Sequence, residues 1–280
     1  MVHKRTDRLD VDKIMVNLKT ERIGGKILIY DNTSSTNDIA AEYAKIKQND
    51  GLVVFAEEQT AGRGRAGNKW LSGRADSILC SIVLVENKLN AELLSLTCAV
   101  AVAEAIGKPG WAQAKIKWPN DIILNGKKIA GILLESKSMS IDDCQLPISQ
   151  SKIENRKSKI YIVGIGINCH QKKESFAGEL QQIATSIDAE SHSVSDRNVL
   201  AKRLLVSVGQ WLKIAVNNSE KVIDRWRELS IQLGHRISLI FNGTKFTGHC
   251  IGIDPEKGLI LQLDTGGIRM FDAAHSTIAK

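Results

Sequence analysis

Two arginines alternate with three glycines in Gly62-Arg63-Gly64-Arg65-Ala66-Gly67, and Lys69 and Trp70 close the run. Glycine has no Cβ, so it reaches φ values that other residues avoid and lets a ligand approach the backbone. Arginine carries a planar, permanently charged fork matched to carboxylate and phosphate. Together they describe a mobile loop able to fold over an anion. A solvated basic turn is the plainer reading, and for most Gly/Arg runs the better one. It is weakened here because apolar stretches at 52–56 and 78–84 flank the run.

Other polar residues fall in patterns that could serve such a loop. Asp31-Asn32-Thr33-Ser34-Ser35-Thr36-Asn37 precedes apolar residues at helical spacing (Ile39, Ala40, Tyr43, Ala44). Its hydroxyl and amide side chains suit a helix cap, or a cluster of donors aimed at a polar ligand. Lys117-Trp118-Pro119-Asn120-Asp121 interrupts a strand pattern, since Pro119 lacks the N–H that a central ladder position needs. Asn125-Gly126 signals a hairpin that returns the chain through Lys128. By spacing alone Lys128 is a solvated edge residue. Gly164 and Gly166 sit inside the apolar strand 161–168, where glycine marks close approach by a ligand or by a packed neighbour. No Gly-x-Gly-x-x-Gly turn opens a helix there, so a dinucleotide fingerprint is excluded.

The elements that must position these residues are legible in outline. Strands are expected at 26–30, 52–56, 78–85 and 161–168, and an all-round apolar, hence buried, helix at 91–106 capped by Asn90 and ended by Gly107 and Pro109. Residues 136–159 are polar and are expected to leave the fold as an exposed excursion between adjacent strands. Asp196 caps a helix through Leu200, Leu204, Leu205, Val208, Trp211 and Ile214, and a second helix carries Val222, Ile223, Trp226 and Leu229. From Gly234 onward, short strands at 237–241, 245–253, 259–263 and 268–271 are joined by Gly-rich turns, which is the pattern of a small antiparallel barrel.

Composition sets the limits. Hydrophobic residues make up 43% and charged residues 25%, ordinary values for a globular protein. The net charge of +7 favours anionic ligands or acidic partners. The cysteines, Cys80, Cys98, Cys144, Cys169 and Cys250, form no Cys-x-x-Cys pair, which argues against a disulfide framework and a metal ribbon and for a reducing, cytoplasmic setting. No apolar run approaches the roughly 20 residues of a membrane helix. The opening Met1-Val2-His3-Lys4-Arg5 is not a secretory signal, and residues 1–24 read as a polar leader too short for a DNA-binding helical module.

Taken in order, Ser35-Thr36-Asn37, Gln59-x-Ala61-Gly62-Arg63-Gly64-Arg65, Lys117-Trp118-Pro119-Asn120-Asp121, Lys128-Ile129-Ala130-Gly131-Ile132-Leu133 and Gly164-Ile165-Gly166-Ile167-Asn168 closely resemble the biotin protein ligases, from about residue 25 to the end. The resemblance implies an α+β fold: a mixed-sheet catalytic domain over 25–233 and an SH3-like C-terminal barrel over 234–280. It implies that biotin and ATP, with Mg2+, give biotinyl-5′-AMP, and that biotin then passes to a lysine of a biotin carboxyl carrier protein domain. It places biotin among Ser35, Thr36, Asn37, Gln59, Arg63, Gly64, Arg65 and Lys128. The nucleotide falls to Gly62, Arg63, Trp70, Asn120, Gly166 and Asn168, and no protein metal site is implied. Lys128 and Arg65 are expected at the carboxylate and α-phosphate. Asp121 either orients the carrier lysine or holds Lys128. The Gly-Arg loop is expected to be disordered without ligand and ordered with it.

The short leader departs from family members that carry a DNA-binding domain and repress biotin genes, so the monofunctional type is expected and DNA binding is not. Two rivals stand beside this reading: a lipoate or octanoate ligase of related fold, and a biotin-responsive repressor. Family members differ in dimerisation, so a homodimer stays open.

Overall fold

The computed structural model describes residues 7–107, 113–138, 159–191 and 193–279. In chain order, α1 (Val11–Met15) is capped by the Asp10 carboxylate, which accepts from the backbone N–H groups of Asp12 and Lys13. Then come β1 (Ile27–Tyr30), α2 (Thr36–Tyr43), β2 (Val53–Ala56), β3 (Ser77–Glu86), α3 (Ala91–Ile106), β4 (Lys115–Lys117), β5 (Asp121–Leu124), β6 (Lys127–Ser138) and β7 (Lys159–Asn168). These strands form one seven-stranded sheet in the order β1-β2-β3-β7-β6-β5-β4. β1 and β2 run parallel and every other neighbouring pair is antiparallel, so the sheet is mixed as expected.

Side chains on a strand alternate between faces, and directly paired residues share a face. On one face Phe55, Cys80, Ile82, Ile132 and Ile165 join the main core beneath α3 and the long helix α6 (Arg197–Asn217). α3 is buried on nearly every side, as its sequence predicts, with the Asn90 side chain accepting from Leu93 N–H. Fully burying a leucine such as Leu94 stabilises the fold by about 1.5–3 kcal/mol. On the other face, Val54, Val83 and Ile162 pack under α2 through Ala40, Ala41 and Ala44. α2 covers only part of that face, and the remainder holds the site.

α4 (Leu180–Ile183) and α5 (Ile187–Ser191) follow β7. α6 is capped by Asp196 as expected; Trp211 and Ile214 are only half-buried, while Leu212 and Ala215 take the core positions. α7 (Ser219–Leu229) buries Val222, Ile223, Trp226 and Leu229.

The C-terminal sheet contains β8 (Arg236–Phe241), β9 (Thr244–Asp254), β10 (Gly258–Leu263), β11 (Ile268–Phe271) and β12 (Ser276–Ile278) in the order β11-β10-β9-β8-β12, all antiparallel. β12 is absent from the sequence reading because Ser276-Thr277-Ile278 offers one aliphatic residue; it exists by pairing with β8.

Residues 7–24 are polar in sequence yet pack closely. Ile14 and Ile23 are fully buried, Leu9 N–H donates to Glu57 Oε1 (2.7 Å) and Asp10 N–H to Asn198 Oδ1 (2.8 Å). β6 and β7 pair up to Ser138 and Lys159, so the expected excursion does connect adjacent strands. Its residues 139–158, with Cys144, and the expected helix stop Pro109 lie outside the described residues.

Candidate active site

The open face of the sheet is built around Leu79, Ser81, Gly131, Leu133, Gly164 and Gly166, because Gly131 pairs with Gly166, Leu133 with Gly164, Leu79 with Gly166 and Ser81 with Gly164. A Cβ at Gly166 would fall 2.5 Å from Trp70 Cε2, and one at Gly164 would strike the Asn37 amide. Both glycines are therefore required by side chains of the protein itself. A cavity of 440 Å3 lies over this face, and all five motif blocks line it.

One end is a buried polar cradle. Ser35 occupies the N-cap of α2, but its hydroxyl caps nothing. Gln59 does that work from β2's loop: its Oε1 accepts from Thr36 N–H (2.7 Å) and from the Thr36 hydroxyl (2.9 Å). The simple Ser/Thr cap read from sequence is thus replaced by a glutamine 23 residues away. Ser81 Oγ lies 2.7 Å from Thr36 Oγ1 and 2.6 Å from Asn37 Oδ1, and gives its single proton to one of them. Asn37 Nδ2 donates to Glu135 Oε2 (2.9 Å). Sequence reasoning missed Ser81 and Glu135. The available signal was Ser81 as the one hydroxyl in the apolar run 78–84.

Lys128 reaches the same face through a β-bulge. Asp121 pairs with Gly131 and Ile122 with Ala130, but Ile123 pairs with Lys128, leaving Ile129 as the extra residue. Alternation alone would put Lys128 and Gly131 on opposite faces; the bulge restores them to one. The turn ahead of it places Asn125 (φ 49°) and Gly126 (φ 79°) in the left-handed region, as a two-residue hairpin needs. Lys128 Nζ sits 2.5 Å from Asp121 Oδ1 and 5.7 Å from the Trp70 ring centroid. Of the two roles open for Asp121, the contact with Lys128 is the one the geometry contains.

The Gly-Arg loop is a small hairpin. Trp70 N–H donates to Gly62 O (3.0 Å) and Gly64 N–H to Asn68 O (2.7 Å), closing a turn in which Ala66 has φ 51°. Its arginines line the same cavity as Lys128 but are held by partners of their own. Arg63 binds both Asp38 carboxylate oxygens (3.0 and 2.7 Å) and Glu135 (3.4 Å). Arg65 donates to the carbonyls of Ala273 and Ser276 (3.1 Å for Ser276) and to Asn120 Oδ1 (3.4 Å). The sequence reading expects Arg65 beside Lys128; the two line one cavity, with the Arg65 fork resting on the turn before β12 and on Ser276. Burial pushes its pKa down, opposed by Asp121, Glu92 and Asp272.

At the far end, Trp70 lies against Gly166 with its Nε1 buried and unpartnered among the described residues. Asn168 and Asn120 spend their amides on structure. Asn168 Nδ2 donates to Thr185 O (2.9 Å) and Asn120 Nδ2 to Ile132 O (2.8 Å). A second cavity of 790 Å3 borders the loop, Trp70, Gln171 and Phe176. Among the described residues no group of three or more His, Cys, Asp or Glu is placed to hold a metal ion.

The profile of the Biotin/lipoate A/B protein ligase family matches residues 29–146. The bifunctional ligase/repressor BirA of Bacillus subtilis (strain 168) is 32% identical over 274 residues, 96% of this chain and 79% of that protein. The biotin–[acetyl-CoA-carboxylase] ligase of Mycobacterium tuberculosis is 31% identical over 248 residues, 84% of this chain and 82% of that one. Among solved structures, a biotin protein ligase from Aquifex aeolicus in complex with biotin and ATP shares the fold, with a TM-score of 0.74 at 24% identity over 91% of this chain and 99% of that one.

Proposed function

The chain belongs to the biotin protein ligase family, and from that membership we propose how its residues carry the reaction. The enzyme is an ATP-dependent biotin–protein ligase. It joins biotin to ATP as biotinyl-5′-AMP with release of pyrophosphate, then passes the biotinyl group to a lysine amine as AMP leaves. Lipoate transfer and repressor action are not favoured. Among the described residues, the segment ahead of β1 contains only the five-residue helix α1.

The observation that carries the assignment of roles is the convergence of five motif blocks on one glycine-opened sheet face, with Lys128 at its centre. A carboxylate attacking an α-phosphorus brings two anions together, so the protein's part is positioning and positive charge. Lys128 leaves Asp121 for the biotin carboxylate and α-phosphate. The Ser35, Thr36, Asn37 and Gln59 cradle meets the polar edge of biotin. Arg63 and Arg65 exchange their present partners for ligand, and the loop, including Gly62 and Gly64, closes over the intermediate and excludes water. Trp70, Asn120, Gly166 and Asn168 form the nucleotide end. Mg2+ would come with ATP, held mainly by phosphate and water oxygens, and would offset phosphate charge; Asp121 and Glu179 are the carboxylates lining the cavity that would face it.

The acceptor is a biotin carboxyl carrier protein domain of a biotin-dependent carboxylase, the setting is cytoplasmic, and a homodimer is one assembly open to the chain. Among the described residues no helix is long and apolar enough to cross a membrane. Incubating a carrier domain with the protein, ATP, Mg2+ and either biotin or lipoate tests this by mass spectrometry. Biotinylation of one lysine is expected; labelling by lipoate alone would overturn it. Lys128→Ala should keep the fold and lose about 100- to 1000-fold in biotin-dependent pyrophosphate release. Near-normal release would remove Lys128 from its role.

A further inference from the structure

Resting on the ligase reading, we propose that Glu135 is a positioning residue for the acid substrate: by holding the Asn37 amide it sets the hydrogen-bond polarity of the cradle and keeps it rich in acceptors. Glu135 follows Gly131 and Leu133 along the site face of β6, and its partner across the ladder, Ile162, packs under α2 on that same face. The side chain is half-buried and stands behind the cavity wall rather than in it. It acts through its neighbours.

One carboxylate serves two elements. Oε2 accepts from Asn37 Nδ2 (2.9 Å) at the start of α2, and Oε1 accepts from Arg63 Nη2 (3.4 Å) of the Gly-Arg loop. A carboxylate only accepts, so Asn37 must turn its Nδ2 to Glu135 and its Oδ1 to Ser81. At the opposite end the Thr36 N–H only donates, so Gln59 must turn its Oε1 to Thr36. Three contacts run between these two fixed oxygens: Gln59 Oε1 to Thr36 Oγ1 (2.9 Å), Thr36 Oγ1 to Ser81 Oγ (2.7 Å) and Ser81 Oγ to Asn37 Oδ1 (2.6 Å). Only the hydroxyls of Thr36 and Ser81 supply protons to them. Three contacts therefore share two protons, and one pair of oxygens always meets lone pair to lone pair.

That deficit has a chemical consequence. Thr36, Asn37 and Gln59 line the 440 Å3 cavity, so the residues short of a proton are ones that a ligand meets. Such a wall favours a ligand edge that donates, as the ureide N–H groups of biotin do, over one that only accepts. Asn37 could end the deficit by rotating its amide and giving Nδ2 to Ser81. Rotation would set Oδ1 against the Glu135 carboxylate, oxygen to oxygen, so the carboxylate forbids it. Glu135 thus holds the cradle in the form that prefers a donor.

Biotin-dependent exchange of pyrophosphate into ATP, with a thermal melt of each protein, tests the assignment in the full chain as parent, Glu135→Leu, Glu135→Lys and Glu135→Gln. Leucine frees the Asn37 amide, and lysine, which only donates, obliges it to turn. Both should raise KM for biotin about tenfold, while KM for ATP and the thermal midpoint stay at the parent's values. Glutamine keeps a carbonyl for Asn37 Nδ2 and gives up only the Arg63 contact, so its KM for biotin should stay within about twofold of the parent's. Parent-like KM for biotin in the leucine and lysine variants would overturn the proposal, and either one decides it where the other does not fold. A glutamine variant as impaired as these would assign the effect to the Arg63 ion pair instead. KM for biotin and for ATP rising together as the midpoint falls would make Glu135 merely structural; each of these two outcomes also overturns the proposal. Absence of biotin-dependent exchange in the parent would sink the ligase reading and this assignment with it, whereas a parent that exchanges leaves only the assignment at stake.

Discussion

Arg65 shows how much of a residue's chemistry its own type discloses and how much its partners withhold. A fork-shaped cation among glycines is legible from the sequence. That it rests on the carbonyls of Ala273 and Ser276, over 200 residues away, is not. The same holds for Arg63, whose carboxylate partners Asp38 and Glu135 carry no mark in their local sequence. The Arg63 contact is exchangeable: a partly exposed ion pair such as Arg63–Asp38 contributes only about 0–1 kcal/mol, so an anionic ligand can displace it. Arg65→Gly removes the guanidinium that ligand and barrel compete for. It should raise the release of bound biotinyl-adenylate about 10- to 100-fold, measured by trapping the free intermediate. Retention equal to the parent's would end the idea of a closing loop.

Element identities were mostly readable because periodicity, caps and turn residues are local. Asn90, Asp196 and Asn125-Gly126 each do what their chemistry predicts. Two features depended on pairing instead. The bulge at Ile129 decides which face Lys128 occupies, and alternation read from the chain alone leaves Lys128 at a solvated edge. β12 exists only against β8. The turn between β11 and β12 is held from the catalytic side, where the Glu92 carboxylate at the start of α3 accepts from Ala273 N–H (2.5 Å). Burial pushes the pKa of Glu92 up, opposed by that backbone hydrogen bond. Glu92→Leu should destabilise this turn by about 1–3 kcal/mol and loosen the loop anchored on it. Faster tryptic cleavage at Arg63 and Arg65 is the expected reading; unchanged cleavage would uncouple loop from barrel.

Across the whole molecule, a buried charge network joins the beginning of the described chain to the end of the central sheet. Arg197, fully buried, binds Glu57 (2.7 Å) and Asp7 (3.1 Å). His170 lies 2.7 Å from Asp7 on one side and 2.7 Å from Asp188 on the other. Burial opposes charge on His170, but hydrogen bonds to the two carboxylates outweigh it and raise its pKa above 6.5. Burial likewise opposes the charge on Asp7, while His170 and Arg197 hold its carboxyl well below 3.8. The signs follow from linkage. A raised histidine contributes stability fully below pH 6.5 and loses it as pH climbs through the folded-state pKa. A depressed carboxyl contributes above pH 3.8 and loses it in acid. The thermal midpoint of the parent should therefore exceed that of His170→Gln most near pH 6, with the gap narrowing toward alkaline pH. A constant gap would show that His170 is not charged in the fold.

Nothing in the polar composition of residues 7–24 announces this anchoring, since it depends on Arg197 and His170, which a reader of the leader does not yet have in hand. It also gives the front of the chain mechanical purchase on the chemistry. Asp7 grips His170, and the next residue along is Gln171. Arg197 meanwhile joins Asp7 to Glu57, two residues before Gln59 of the cradle, and Leu9 N–H reaches the same carboxylate, so tension applied ahead of Asp7, whether by a fused protein or by an immobilising surface, would pull on both ends of the site. For this protein, the choice of terminus for attachment is a choice about whether the substrate pocket feels the load.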